Sequence, residues 1–225
     1  MRPRVIVNVA MSADGKISTI QRRQVRISGK EDFLRVDRLK AASDAVIVGI
    51  GTVLADNPSL TVKDPILREQ RIASGRDPNP VRIVIDSGGR TPLNADILHK
   101  GEGKRMIAVS SKAPEERIRA LEQYAMVIKT GEDRVDPGQI LENLGAVGIR
   151  QVMIEGGGNI IWSFFSAGLV DELYSYIGNI IIGGQDAPTL AEGTGFTEEN
   201  SFVRLSLKNT ERLDQGVLLH WDVVR

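Results

Sequence analysis

Six short apolar runs rich in β-branched residues constrain this chain most: RVIVNVA (4–10), DAVIVG (44–49), VRIVID (81–86), RMIAVS (105–110), AMVIK (125–129) and QVMIE (151–155). Each is too short for a helix and almost continuous in its apolar character, the signature of a strand buried on both faces. Helical patterns lie among them, at 30–42, 114–124 and 137–147. Ser28 followed by Glu31 forms a capping box for the first, and Pro114 and Pro137 suit the first turn of the other two. Strands joined through helices need crossover connections, so the pattern predicts an α/β fold with a mostly parallel central sheet flanked by helices. The tail changes character. Residues 171–182 and 202–224 are strand-rich, and the runs at 202–210 and 216–224, joined through Asp214-Gln215-Gly216, read as an antiparallel pair. Residues 62–80 form the longest connection without a structural pattern and read as a mobile loop.

A length of 225 residues favours one domain, spanning 1–225, with a core large enough to stand without cross-links. There is no cysteine, which excludes disulfides and thiolate metal sites, and the two histidines, His99 and His220, are too scattered for most metal centres, so no metal is expected. Twenty-nine basic residues balance twenty-nine acidic ones, which points away from nucleic acid as a partner. No apolar run approaches the ~18 residues of a membrane span and no leader pattern opens the chain, so the expectation is a cytoplasmic protein without a membrane partner.

Chemistry concentrates where predicted strands end. In IRQVMIEGGGNIIWSFF (149–165) a strand closes on Glu155, three glycines follow, and a helix begins. Backbone amides at such a helix start favour a phosphate or pyrophosphate. The spacing is not the dinucleotide fingerprint, because the third glycine of G-x-G-x-x-G is absent. GIGTVLADNPSLTV (49–62) places Thr52 at a short helix start that Asp56, Asn57 and Pro58 end; it is either a ligand-bearing turn or a capped one. In IDSGGRTPLN (85–94), Ser87 and Arg90 suit a ribose 2′-phosphate, although a plain β-turn accounts for the same residues. Ser110-Ser111-Lys112 either extends that basic rim or leads into the next helix. In NVAMSADGKIS (8–18), Asn8 interrupts an apolar strand and needs a partner, either backbone or ligand. Trp162, Phe164 and Phe165 are either core or, with the apolar C-terminal strands, a dimer surface.

Together these segments resemble the riboflavin-biosynthesis reductase family, whose fold is that of dihydrofolate reductase. The resemblance rests on Asp14-Gly15-Lys16, the string from Gly51 to Val62, Pro80 to Ser87, Glu155 to Gly158, and Gly168 to Glu172, and is strongest toward the stand-alone archaeal-type branch. It implies a homodimeric enzyme that reduces a phosphorylated ribosylaminopyrimidine with NADPH, NADH being an alternative hydride source. Thr52 and Asp56 would then meet the nicotinamide and its ribose. Ser87, Gly88, Gly89 and Arg90 would hold the 2′-phosphate, Val135 the adenine end, and Gly157, Gly158, Asn159 and Ile160 the pyrophosphate. Asn8, Lys40, Leu60, Lys63 and Glu155 would lie on the substrate side, with Lys40 near the phosphate. When C1′ of the ring-opened imine takes the hydride, nitrogen gains a proton from either Glu155 or a bound water.

The zinc deaminase fused to bacterial relatives needs H-x-E and P-C-x-x-C, and this chain has neither. Reduction before deamination is therefore the expected order, with the deaminated uracil as the alternative substrate. A pteridine reductase and a non-catalytic nucleotide-binding protein on the same fold are the competing readings.

Overall fold

The structure is a computed structural model that describes residues 1–225. Nine strands form one sheet in the order β5 (Met126–Lys129), β4 (Arg105–Val109), β3 (Val81–Ile85), β2 (Ala45–Gly49), β6 (Gln151–Gly156), β1 (Arg4–Met11), β7 (Glu172–Ile177), β9 (Gly216–Val224) and β8 (Arg204–Leu213). All strand pairs for which a register is defined are parallel except β7–β9 and β8–β9. The predicted architecture is present: a mostly parallel sheet, flanking helices and an antiparallel C-terminal pair. The chain divides into two compact units, one of residues 1–3 and 37–153 and one of 4–36 and 154–225.

The first unit holds β2 (Ala45–Gly49), β3 (Val81–Ile85), β4 (Arg105–Val109) and β5 (Met126–Lys129). β2 is buried at every position, and β3 and β4 at all but the first. At about 1.5–3 kcal/mol per fully buried Val or Ile, these runs dominate the stability of the unit. The helices here are α2 (Ile50–Asp56), α3 (Pro65–Ala73), α4 (Asp96–His99), α5 (Glu115–Glu122) and α6 (Pro137–Ala146). The expectation of a structureless 62–80 is corrected by α3. Asp64 caps it by accepting from the Ile66 amide at 2.8 Å, and Pro65 occupies its first position. Asp136 and Pro137 repeat that device for α6.

Two buried arginines brace the unit. Arg71 donates to the carbonyls of Ala41, Ser43 and Asp77. Arg82, fully buried, donates to those of Lys100, Gly101, Glu102 and Gly103, and burial lowers its pKa to about 10.

The second unit holds β1 (Arg4–Met11), α7 (Gly158–Ser166), β7 (Glu172–Ile177), β8 (Arg204–Leu213) and β9 (Gly216–Val224). Helix α1 (Lys30–Ala42) and strand β6 (Gln151–Gly156) each run from one unit into the other. The cap expected from Ser28 comes instead from Asp214, 183 residues from Glu31 in sequence. Its two carboxylate oxygens take the amides of Glu31 and Asp32, each at 3.0 Å. Gly29 leaves room for it, since a Cβ there would lie 2.7 Å or less from that carboxylate. Phe164 and Phe165 are buried, and Trp162 packs on Phe196 with ring centroids 4.7 Å apart. Phe164 and Phe165 thus belong to the interior packing of this unit, while Trp162 is half-buried.

Candidate functional site

In the first unit, Gly49 of β2 lies level with Ile85 of β3, and Ile85 level with Ala108 of β4. The turns that follow these strands therefore leave the same edge of a parallel sheet, where ligands bind in open α/β folds. The β2 turn leads at once into α2. Thr52 and Asp56 are half-buried on it, and a Cβ on Gly51 would meet open space. Asn57 ends α2 in the left-handed region (φ 44°), and its side chain accepts from the Asp96 amide at 2.8 Å.

The turn after β3 is held from inside by Asp86, which is fully buried. Its Oδ2 accepts from the Thr91 amide at 2.6 Å and the Thr91 hydroxyl at 2.8 Å, and its carbonyl accepts from the Gly89 amide. Gly89 has φ +64°, which glycine adopts at least cost. The Arg90 side chain stays 64% exposed. Ser87 and Val135 are brought together, the Val135 amide donating to the Ser87 hydroxyl at 3.1 Å. Ser110 is buried and donates to the Ser87 carbonyl, while Lys112 pairs with Asp133. Of the Ser110–Lys112 stretch, Ser110 thus supports the turn and Lys112 is already partnered.

A cavity of about 550 Å3 opens where the chain approaches the starts of β3 and β4. Ser59, Thr61, Lys63, Arg68, Asn79 and Lys100 are among its lining. The Lys63 ammonium donates to the Ser59 and Thr61 hydroxyls, each at 2.8 Å, and the Lys63 amide is fixed by Asp37. Burial, then the charge of Lys40, lowers the Lys63 pKa, and Lys100 and Arg68 push the same way. Its lining carries three cations, Lys63, Arg68 and Lys100, and two carboxylates, Glu69 and Glu102. Neither Arg68 nor Lys100 belongs to a motif that sequence reasoning singles out. Leu60 is 4% exposed with φ 54°, an uncommon backbone for leucine.

In the second unit, β6 ends in Glu155-Gly156, the Gly156–Gly157 peptide is cis, and α7 starts at Gly158. The glycines have separate reasons. Gly156 has φ +113°, which side chains avoid. A Cβ on Gly158 would stand 2.6 Å from the Thr189 carbonyl oxygen. The first helical bonds run from the Ile160 and Ile161 amides to Gly157, so the Gly158 and Asn159 amides lie outside the helix's own ladder. The Asn159 side chain turns to Glu192 at 3.3 Å, and Arg22 pairs with the same carboxylate at 3.0 Å.

Asn8 finds its partner in protein. Its carbonyl oxygen accepts from Arg35 at 2.6 Å, and Arg35 also pairs with Asp32. Arg35 lies over the Tyr174 ring, which stacks on His220 at 4.0 Å. His220 in turn bonds Glu172 at 2.8 Å. Glu172, His220 and Asp222 place a ligand atom each within 4.8 Å of one another, a grouping that the scattered histidines do not suggest. Arg4 already pairs with Glu172 and Lys208 with Asp222, so the cluster is charge-compensated and braces the sheet. Strand pairing, which sequence spacing does not show, is what assembles it.

Residues 3–219 match the family model of the RibD C-terminal domain. The chain is 50% identical over 216 residues to the 2,5-diamino-6-ribosylamino-4(3H)-pyrimidinone 5′-phosphate reductase of Archaeoglobus fulgidus, covering 96% of each chain. It is 42% identical to the enzyme of the same name from Methanothermobacter thermautotrophicus, covering 99% of each. Among solved structures, RibD of Acinetobacter baumannii superposes with a TM-score of 0.79 at 26% identity, over the whole of this chain and 59% of that one. The family match over residues 3–219 and the near-full-length identity to two archaeal enzymes have one explanation: this chain belongs to the RibD C-terminal domain family of riboflavin-biosynthesis reductases.

Proposed function

We propose that this chain is an NADPH-dependent reductase that converts the ribosylamino group of 2,5-diamino-6-ribosylamino-4(3H)-pyrimidinone 5′-phosphate to ribitylamino. The observation that carries the reading is the near-full-length identity to archaeal enzymes of that name. We take both units to act as one reductase domain, in keeping with a single family model that spans them. The residues fit the cofactor: an exposed arginine on a glycine turn for a 2′-phosphate, and helix-start amides at Gly158 and Asn159 for a pyrophosphate. When bound, NADPH supplies the hydride delivered to C1′ of the substrate.

On this reading Thr52 and Asp56 orient the nicotinamide ribose, and Ser87 to Arg90, with Val135, hold the adenosine end. Gly157 to Ile160 hold the pyrophosphate. Lys63 and Lys40 supply the positive charge for the substrate phosphate, and Leu60 shapes the substrate side. Asn8, fixed by Arg35, belongs to the substrate side. Glu155 provides the proton to nitrogen or orders the water that does.

The test is absorbance at the nicotinamide band. NADPH oxidation is expected with the diamino substrate. Oxidation with only the deaminated uracil, or only with dihydrofolate, would replace the substrate assignment, and binding without any oxidation would end the enzymatic one. Glu155→Gln is expected to lower kcat at least tenfold, about 1.4 kcal/mol in the barrier, while the NADPH dissociation constant stays within about twofold. Equal losses in both would remove Glu155 from the substrate side.

We also propose that a second copy of this chain packs on the outer strands of the second unit. Val217, Leu219, Trp221 and Val223 of β9 share one sheet face with Leu205 and Leu207 of β8. Leu205, Leu207 and Val217 are 38%, 51% and 37% exposed. Nine to ten residues at ~3.4 Å each, across two strands of ~4.8 Å width, give on the order of 300 Å2 of flat area. A cavity of about 400 Å3 lined by Phe165, Phe196, Phe202 and Val223 continues the same apolar surface.

A further inference from the structure

The turn proposed to take the 2′-phosphate is held from two sides, and the outer hold is a residue that no motif marks. Arg117, half-buried on α5, donates its Nε to the Gly89 carbonyl and a terminal nitrogen to the Thr91 carbonyl, each at 2.8 Å. Those carbonyls flank Arg90. On the inner side, Asp86 holds the Thr91 amide and hydroxyl. Gly89 packs so closely that a Cβ on it would lie 3.2 Å from the Arg117 Cβ. Arg117 fixes the Gly89–Arg90 peptide plane and the Thr91–Pro92 plane, Asp86 fixes the Arg90–Thr91 plane between them through the Thr91 amide, and together they set the direction in which the exposed Arg90 side chain leaves the backbone. Arg90 itself has only a loose link inward, its Nε standing 3.9 Å from Asp86. Its aim therefore depends on the backbone more than on contacts of its own.

We propose that Arg117 is a positioning residue that sets Arg90 for the 2′-phosphate, and through it the preference for NADPH over NADH. The inference rests on the reading that Ser87–Arg90 receives that phosphate. A ligand without the phosphate gains nothing from the aim of Arg90, so removal of the clamp falls on one cofactor and spares the other.

The experiment measures KM and kcat with NADPH and with NADH for the wild type, Arg90→Ala, Arg117→Met and Arg117→Lys. Arg117→Met is expected to raise KM for NADPH about tenfold, the size of effect that follows when one ligand forfeits a charge-assisted hydrogen bond. KM for NADH and both kcat values are expected to stay within about twofold. Arg117→Lys keeps the charge but cannot span two carbonyls in one plane, and is expected to lose most of the same preference. Full wild-type preference in Arg117→Lys would show an effect of charge alone and overturn the positioning role. Equal rises in KM for the two cofactors would overturn it too, as general damage to the turn. If Arg117→Met does not fold, Arg117→Lys decides by the same criterion. Arg90→Ala separates the levels. If it leaves the preference intact, the 2′-phosphate reading fails; if it abolishes the preference while both Arg117 variants retain it, only the present inference fails.

Discussion

At the scale of single residues, local geometry often gives a residue a purpose its motif does not state. The glycine triplet reads in sequence as one anion-binding feature, yet Gly156 is required by its φ and Gly158 by the approach of Thr189. Asp14 is legible as part of an Asp-Gly turn, and its carboxylate does more than turn the chain. It accepts from the Ser12 hydroxyl at 2.6 Å and from the Ile182 and Gly183 amides, tying two loops of the second unit together. The Ser12 hydrogen bond, then that of Ile182, lowers its pKa to about 2. A folded-state pKa below the unfolded value of ~3.9 contributes stability that is present above that pH and lost as pH falls toward the folded value. Asp14→Asn is therefore expected to melt below wild type at pH 7, with the difference shrinking from about pH 4 toward pH 2. Thermal melts across that range check it, and a gap independent of pH would show that the shift carries no stability.

At the scale of elements, strands are the most legible because a continuous run of Val and Ile has few other uses. Helix α3 is hidden in sequence. Its PILREQRIA segment is only nine residues long, so its periodicity has little length over which to show, and the Asp64-Pro65 pair at its start is the plainest signal. Helix α1 is plain in sequence but its cap is not: Ser28 is local, while Asp214 arrives from the β8–β9 turn. Replacing Asp214 with alanine leaves two helix-start amides without that acceptor. It is expected to destabilise the protein by ~1 kcal/mol, the usual cost of a missing cap, and Ser28→Ala by much less. Denaturant unfolding of both variants tests the assignment, and a larger loss from Ser28→Ala would reverse it.

At the scale of the whole molecule, the alternation of apolar runs and helical stretches fixes the fold class before any contact is known. The outer strands show the remainder. Leu205, Leu207 and Trp221 look like ordinary strand residues in sequence, and only their registry on one exposed face makes them a surface. Leu207→Glu is expected to convert a dimer to a monomer in light scattering coupled to size exclusion. A monomeric wild type, or an unchanged dimer in the variant, would dismiss the face as an interface.

The chain by itself determined its strands, the sites of its glycine-bearing turns and, through the strings around Gly51–Val62 and Glu155–Gly158, its family. Those properties depend on residues close together in sequence, where backbone preference and apolar periodicity act directly. Tertiary structure alone decided which distant groups meet: Asp214 on α1, Arg35 on Asn8, Val135 on Ser87, and Arg117 on the carbonyls beside Arg90. A charged or polar side chain has many partners open to it in sequence, and packing leaves it one.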